Sequence, residues 1–418
     1  MAAAEYETAR NVCDEESALL ARFNFVTLVF PPASGRPPGE LAPPLMISWS
    51  RSAKLSAAVP QHHPPIRAGL PALTGLRFLA AFYVVVFHGL PWVEQRFRLP
   101  GFVLQFLRNG TTAVSLFFLL SGFILSYTYL ERLDSGRAVY NFWVARFARI
   151  YPVYLLSMLI ALPFYIHLSA PIKLAVLAMV QAWNPFHPEW GGAWNYPAWS
   201  LSVEAFFYLV FPFFQKWIEK RTDGVVIIIL AISTVVCVVA RTPLQSIGAR
   251  ESLAFGLGLG PLPILRLPEF LLGVSLGNYF SRGGVFFRNS SYVYLSLLAT
   301  VILLSLPIGS WVSLVVVPFA TTIYGIASRP TLLSACLSSR LMVLLGGASY
   351  CVYLLQAPIR DWVRVAIEQH VPEVVARLAT PATPLLLVIF SVIIFKIWEE
   401  PFRRRIRQWL ALPPKVSG

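Results

Sequence analysis

Charge is scarce in this chain, and acid is scarcer than base. Only 13% of its 418 residues are charged, 20 acidic against 34 basic, while 56% are hydrophobic. The basic residues fall in short clusters between apolar runs, not along one face, which marks loops on the cytoplasmic side of a membrane and excludes a nucleic-acid surface. Cysteine is nearly absent: Cys13, Cys237, Cys336 and Cys351 show no CxxC or ligand spacing, so neither a disulfide framework nor a metal site is indicated. A secretory signal is missing too, because the patch from Phe23 to Phe30 is too short to span and lacks a basic start and a small-residue cleavage site. No internal repeat is visible. What the chain does have is length in apolar segments, with a mean hydropathy of +0.64, and it reads as an all-α, polytopic membrane protein.

Residues 1–70 differ from the rest: six acidic and six basic residues balance, prolines are frequent and no long apolar run appears, the pattern of a disordered cytoplasmic tail. From residue 76 onward there are 11 apolar candidates, at about 76–93, 112–130, 150–168, 171–186, 198–215, 224–240, 261–280, 291–309, 311–327, 341–358 and 381–398. Arg67 and Arg77 flank the first, and Arg403, Arg404, Arg405 and Arg407 follow the last, so both termini are expected in the cytoplasm and the number of spans is expected to be even. The weakest candidate, 171–186, begins at Pro171 and ends in Trp183-Asn184-Pro185; it is expected to be re-entrant or interfacial, leaving ten spans. The loop 359–380 is then external. The expected division is a tail at 1–70, a membrane domain at 71–405 and a cytoplasmic C-terminal tail at 406–418.

Four stretches carry more than hydrophobicity. In LTGLRFLAAFYVVVFH (73–88), Arg77 and His88 are 11 residues apart, three helical turns, so they share a face about 16 Å apart. A histidine this deep is expensive and reads first as functional, against the alternative of a bond to a neighbouring carbonyl. In FWVARFARIYP (142–152), Arg146 and Arg149 are spaced i, i+3. Their planar donor forks suit a phosphate-rich soluble cofactor, and they would equally serve as topology anchors. In WSLSVE (199–204), Trp199 and Ser200 open a span and Glu204 lies about 9 Å below its external end. Its alternative role is a hydrogen bond linking helices. In RLPE (266–269), Arg266 and Glu269 form an intramembrane pair that would at least neutralise itself. His88, Glu204 and Glu269 all come out about 9–12 Å below the external surface, which predicts a polar cavity lined by these three together with Trp199, Ser200 and Arg266.

At these residues the sequence resembles the acyltransferase 3 family of integral membrane acyltransferases. The matching stretches are 73–88, SLFFLLSGFIL (115–125), FWVARFARIYPVYLL (142–156), WSLSVEAFFYLVFP (199–212), LGGASYCVYLLQAPI (345–359) and EEPFRRR (399–405), in the family's order. The resemblance implies transfer of an acyl group, most often acetyl, from acyl-CoA to a hydroxyl of a surface or exported carbohydrate, or to a small-molecule natural product such as a macrolide. It implies His88 as catalytic histidine, Glu204 as its partner, and Arg146 and Arg149, with Arg77, as donor contacts. Acyl-CoA is then a co-substrate and no cofactor is permanently bound. Three positions depart from the family pattern: Thr74 where Asp is common, Ala145 where a further Arg is common, and Gln356 where His is common. A proton-coupled transporter or exporter is the rival class, because intramembrane His, Glu and Arg also relay protons, and a non-catalytic scaffold is the third. The expected location is the cytoplasmic membrane.

Overall fold

The computed structural model describes residues 69–239, 262–286, 289–370 and 373–413. Most of the expected N-terminal tail, residues 1–68, and the last five residues lie outside the described residues. Every regular element among the described residues is helical: α1 (Pro71–Arg96), α2 (Gly101–Arg108), α3 (Ala113–Tyr129), α4 (Gly136–Tyr165), α5 (Ala170–Leu177), α6 (Trp199–Glu219), α7 (Asp223–Val239), α8 (Pro263–Ser281), α9 (Ser291–Ser305), α10 (Val316–Ser328), α11 (Leu332–Leu337), α12 (Arg340–His370), α13 (Glu373–Ile394) and α14 (Glu400–Leu410). Among the described residues seven helical stretches are long and apolar enough to cross a membrane, and α7 and α9 are shorter apolar helices. The further helix of spanning length, α8, is made less apolar by Arg266, Glu269 and Asn278. These ten stand at the ten expected spans.

The stretch 171–186 forms only the eight-residue α5, about 12 Å long and too short to cross, after which the chain turns at Met179 with a φ of 58°. The expected loop at 359–380 is corrected: α12 continues to His370 and α13 begins at Glu373. The charges there are spaced for a helix surface, with Arg364 and Asp361 paired i, i+3 at 3.9 Å, and no Gly or Pro interrupts the run 359–370. Likewise α14 runs across the boundary expected between 405 and 406.

Two close helix contacts position the site. On α3 and α8 small residues let the backbones meet: a Cβ at Gly122 would lie 2.2 Å from the Phe270 carbonyl oxygen, and one at Gly273 would lie 2.2 Å from that of Leu119. On α1 and α12 a Cβ at Gly346 would lie 2.0 Å from the Thr74 carbonyl oxygen. Three residues further along each helix, Arg77 and Ser349 line the same cavity; eleven further still, Arg360 is close enough to act electrostatically on His88. The two helices therefore run parallel. The C-terminal end is fastened to α4: Asn141 exchanges two hydrogen bonds with the Leu412 backbone, at 2.8 and 3.0 Å, and Trp398 Nε1 donates to the Pro152 carbonyl at 3.0 Å. Between α13 and α14 a π-helical turn, Phe395–Glu399, carries Glu399 inward.

Candidate functional site

A cavity of about 820 Å³, counting its open mouth, lies between α1, α3, α4, α6 and α12. Its polar lining is Arg77, Ser121, Arg146, Arg149, Ser200, Glu204, Tyr208, Ser349, Tyr350 and Tyr353; its apolar walls include Phe117, Phe118 and Leu201. The three arginines expected to bind the donor thus share one space, Arg77 coming from α1 and Arg146 and Arg149 from α4. Ser200, Glu204 and Tyr208 follow at i, i+4 and i+8 on α6, so that face of the cavity extends about 12 Å along the helix. Glu204 Oε1 accepts from Tyr208, one turn further along α6, at 2.5 Å and from Ser121 on α3 at 2.9 Å. Ser200 Oγ and Tyr353 Oη are 2.8 Å apart.

Each arginine is held differently. Arg149 makes a buried ion pair with Glu399, whose side chain is 0% exposed against 17% for Arg149; the Cys351 thiol donates to the other carboxylate oxygen at 3.2 Å. Its guanidinium also lies 5.9 Å from the Tyr350 ring, and Arg77 and Arg403 are its cationic neighbours. Arg146 reaches Tyr129 Oη at 3.2 Å and lies over the Tyr129 and Phe142 rings, while its Nε has no hydrogen-bond partner. Guanidiniums held by aromatic faces and by a single carboxylate keep donors available for a ligand with several anionic oxygens.

His88 is not in this cavity, which corrects the expectation of one layer holding His88, Glu204 and Glu269. Its ring packs on Phe87 and, edge-on, against Tyr196 with centroids 6.2 Å apart, and its Nε2 is buried with no hydrogen-bond partner. No hydrogen bond joins His88 to Glu204 among the described residues; Glu204 is held by Ser121 and Tyr208 instead. α12 passes both places: Ser349 and Tyr353 line the cavity, Gln356, one turn on, has a buried Oε1 lacking a partner, and Arg360, a turn beyond that, is close enough to act electrostatically on His88. Glu269 is also outside the cavity. Arg266 pairs with it at 3.3 Å, contacts Ser115 at 3.5 Å and lies over the rings of Phe118 and Trp199. This pair stands behind the cavity wall, where it fixes Trp199, and its charges cancel where Phe118 separates them from the open space.

Glu399, Tyr208, Ser121, Tyr353 and Tyr196 were not legible as site residues. The signals were present: Tyr208 is four residues from Glu204, Ser121 lies inside a quoted motif, and Glu399 is a carboxylate at the end of an apolar run, as Glu204 is near the start of one. No group of His, Cys, Asp and Glu that could hold a metal occurs among the described residues.

This combination of a helical membrane bundle with a guanidinium-lined cavity has known relatives. A family described as an acyltransferase domain matches residues 70–398, and the chain belongs to that family. It is an enzyme of the O-acyltransferase class and a multi-pass membrane protein. Among similar proteins is an acyltransferase named MdmB of Streptomyces mycarofaciens, 32% identical over 324 residues, covering 70% of this chain and 79% of that protein. The O-acetyltransferase OatA of Staphylococcus aureus is 24% identical over 393 residues, covering 84% of this chain and 60% of its own. The peptidoglycan O-acetyltransferase OatA of Listeria monocytogenes is 25% identical over 175 residues, 37% of this chain and 26% of its own length. The chain therefore spans well under two thirds of either OatA protein. No solved structure matches the chain.

Proposed function

We propose that the protein transfers an acetyl group from acetyl-CoA to a hydroxyl of a surface or exported carbohydrate, with both termini in the cytoplasm and the plasma membrane as its location. The observation that carries this reading is the convergence of Arg77, Arg146 and Arg149 on one cavity inside an otherwise apolar bundle. Three guanidiniums in a low-dielectric site suit a polyphosphate end, and the cavity leads away from them, past Glu204 and Tyr208, to Ser200 and Tyr353. A donor with phosphates at one end and a thioester at the other fits such a path.

The chemistry needed is small, since a thioester is already activated. The acceptor hydroxyl gives its proton to a base, its oxygen bonds to the acyl carbon, the carbon–sulfur bond breaks, and the proton returns to the departing thiolate, giving an ester and free CoA thiol. His88 is the assigned base: it is a half-buried imidazole whose Nε2 has no hydrogen-bond partner, a partner position for a hydroxyl. Tyr353, whose hydroxyl lies 2.8 Å from Ser200 Oγ, is the donor assigned to the oxyanion that forms on the thioester carbonyl, while Ser200 itself donates to the Pro197 carbonyl at 3.0 Å and holds Tyr353 in place. Glu204 is reassigned from orienting His88 to fixing Ser121 and Tyr208 within the donor path. The carbohydrate acceptor is supported by the name of the Listeria monocytogenes relative, a peptidoglycan O-acetyltransferase.

The test is CoA release by purified protein with acetyl-CoA, with and without an oligosaccharide acceptor, together with mass spectrometry of the sugar. Sugar-dependent release with a mass gain of one acetyl group is expected. Release that is unaffected by any hydroxyl acceptor would refute the assignment.

A further inference from the structure

The segment that enters α6 is held more firmly than a connection requires. Trp194 has a φ of 67°, in the left-handed region that bulky residues avoid. Two buried anchors hold that conformation. Trp194 Nε1 donates to the Met158 carbonyl at 2.9 Å, and Asn195 Nδ2 donates to Ser157 Oγ at 3.1 Å and to the Leu354 carbonyl at 3.0 Å. The segment is thereby tied to both α4 and α12. What this anchoring sets in place is the next residue, Tyr196. Its ring stands edge-on to His88, at 6.2 Å and 76° between planes, and the residue is still 43% exposed. The Gly192 backbone backs the ring, since a Cβ there would lie 3.0 Å from Tyr196 Cδ2. A strained, doubly anchored turn that holds a part-exposed aromatic ring against the assigned base points to a ligand contact, because strain of this kind persists only where the surroundings fix it and clusters at ligand sites.

We infer that Tyr196 is the acceptor's platform, on which a sugar ring stacks so that one of its hydroxyls is presented to His88. The inference rests on the carbohydrate acceptor proposed above. An aromatic face is electron-rich and apolar, and the axial C–H face of a pyranose is its complement, whereas the sugar's hydroxyls need donors and acceptors at the rim. Such groups are at hand on α12: Arg360 is close enough to act electrostatically on His88, and Gln356, one turn earlier on that helix, holds a buried Oε1 without a hydrogen-bond partner. Stacking at this place gives the enzyme purchase on a ring without gripping the hydroxyl that must react.

The test uses the full chain in detergent, acetyl-CoA as donor, and as acceptor probes a β-1,4-linked N-acetylglucosamine tetramer and glycerol. Tyr196→Ala is expected to raise the KM for the tetramer about three- to tenfold, leaving the KM for acetyl-CoA within about twofold. Tyr196→Phe and Tyr196→Trp, which keep a ring, are expected to hold the tetramer KM within about twofold of wild type, and they remain informative should the alanine variant fail to fold. Phe186→Ala, in the same connection and 86% exposed, is the control expected to change neither constant. An unchanged tetramer KM in Tyr196→Ala overturns the inference, as does a Phe variant as impaired as the Ala variant, which would assign the effect to the hydroxyl. A wild type that acetylates glycerol and not the tetramer, or neither, overturns the carbohydrate reading and takes this inference with it.

Discussion

Arg149 and Glu399 allow fold and function to be separated by mutation. Glu399 is 0% exposed and Arg149 17%, so each is the other's main compensation for burial. Removing one partner leaves an uncompensated charge in a low-dielectric site, which costs about 3–5 kcal/mol, and the Cys351 thiol, a weak donor at 3.2 Å, does little to offset it. Arg149→Met and Glu399→Leu should each lower the unfolding midpoint in detergent markedly. The double variant removes both charges and replaces them with apolar groups of similar volume, an exchange that is often neutral, so most of the lost stability should return. Function should not return with it. Arg149 is assigned to a donor phosphate, and losing a charge-assisted hydrogen bond costs about 1.5–3 kcal/mol, which is about 10- to 150-fold in donor affinity. The assay is thermal unfolding of purified protein followed by KM for acetyl-CoA. A double variant as unstable as the sum of the single ones would show that the pair is not coupled; one that is stable with wild-type donor KM would remove Arg149 from donor binding.

His88→Ala should reduce transfer about 10²- to 10⁴-fold in a protein that purifies normally, and near-wild-type transfer would eliminate His88 as the base. Because Glu204 bonds Ser121 and Tyr208 and not His88, Glu204→Gln should act independently, so the double variant should be slower than His88→Ala alone by the Glu204 factor; a double variant equal to His88→Ala would restore the one-unit reading. Gly273→Val should prevent assembly of the bundle, because its Cβ would meet the Leu119 carbonyl oxygen at 2.2 Å, and a monodisperse variant in size-exclusion chromatography would contradict the close contact of α3 and α8. Deleting residues 2–60, which have balanced charge and no core-forming pattern, should leave insertion and transfer intact, measured as CoA release from purified truncated protein.

The spans were legible because apolar length is a property of the chain alone. The ten expected segments fall on helices, and the exclusion of 171–186 holds because α5, opened by Pro171 in its first turn, already ends at Leu177, before the turn at Met179. The loop expected at 359–380 was misread for a related reason. It was bounded by where the apolar segments stop, at 358 and 381, yet Arg360, Asp361 and Arg364 are spaced as helix-surface neighbours, and a helix extending beyond the apolar zone is under no pressure to stop. Arg77 and Arg146/Arg149 were recognised individually, and the structure brings them to one cavity.

Depth is readable from a sequence at 1.5 Å per helical residue, but the direction a side chain faces relative to other helices is not, and this difference accounts for the site residues that moved. His88, Glu204 and Glu269 were assigned a common depth, and a common depth was taken for a common space. The direction was fixed instead by who neutralises whom. Glu269 has Arg266 three residues before it on the same helix, so the pair forms locally and packs behind Phe118 and Trp199. Glu204 has no cation on its own helix within reach, so it turns to the cavity, where Tyr208, Ser121 and the charge of Arg146 serve it. Glu399 shows that spacing alone does not decide: it has Lys396 at i−3 and Arg403 at i+4, yet Lys396 pairs with Glu400 at 3.2 Å and Glu399 is buried against Arg149 of another helix. In a membrane helix, then, a carboxylate without a cation at i±3 or i±4 must look to other helices for compensation, whereas one with such a cation goes either way according to its burial.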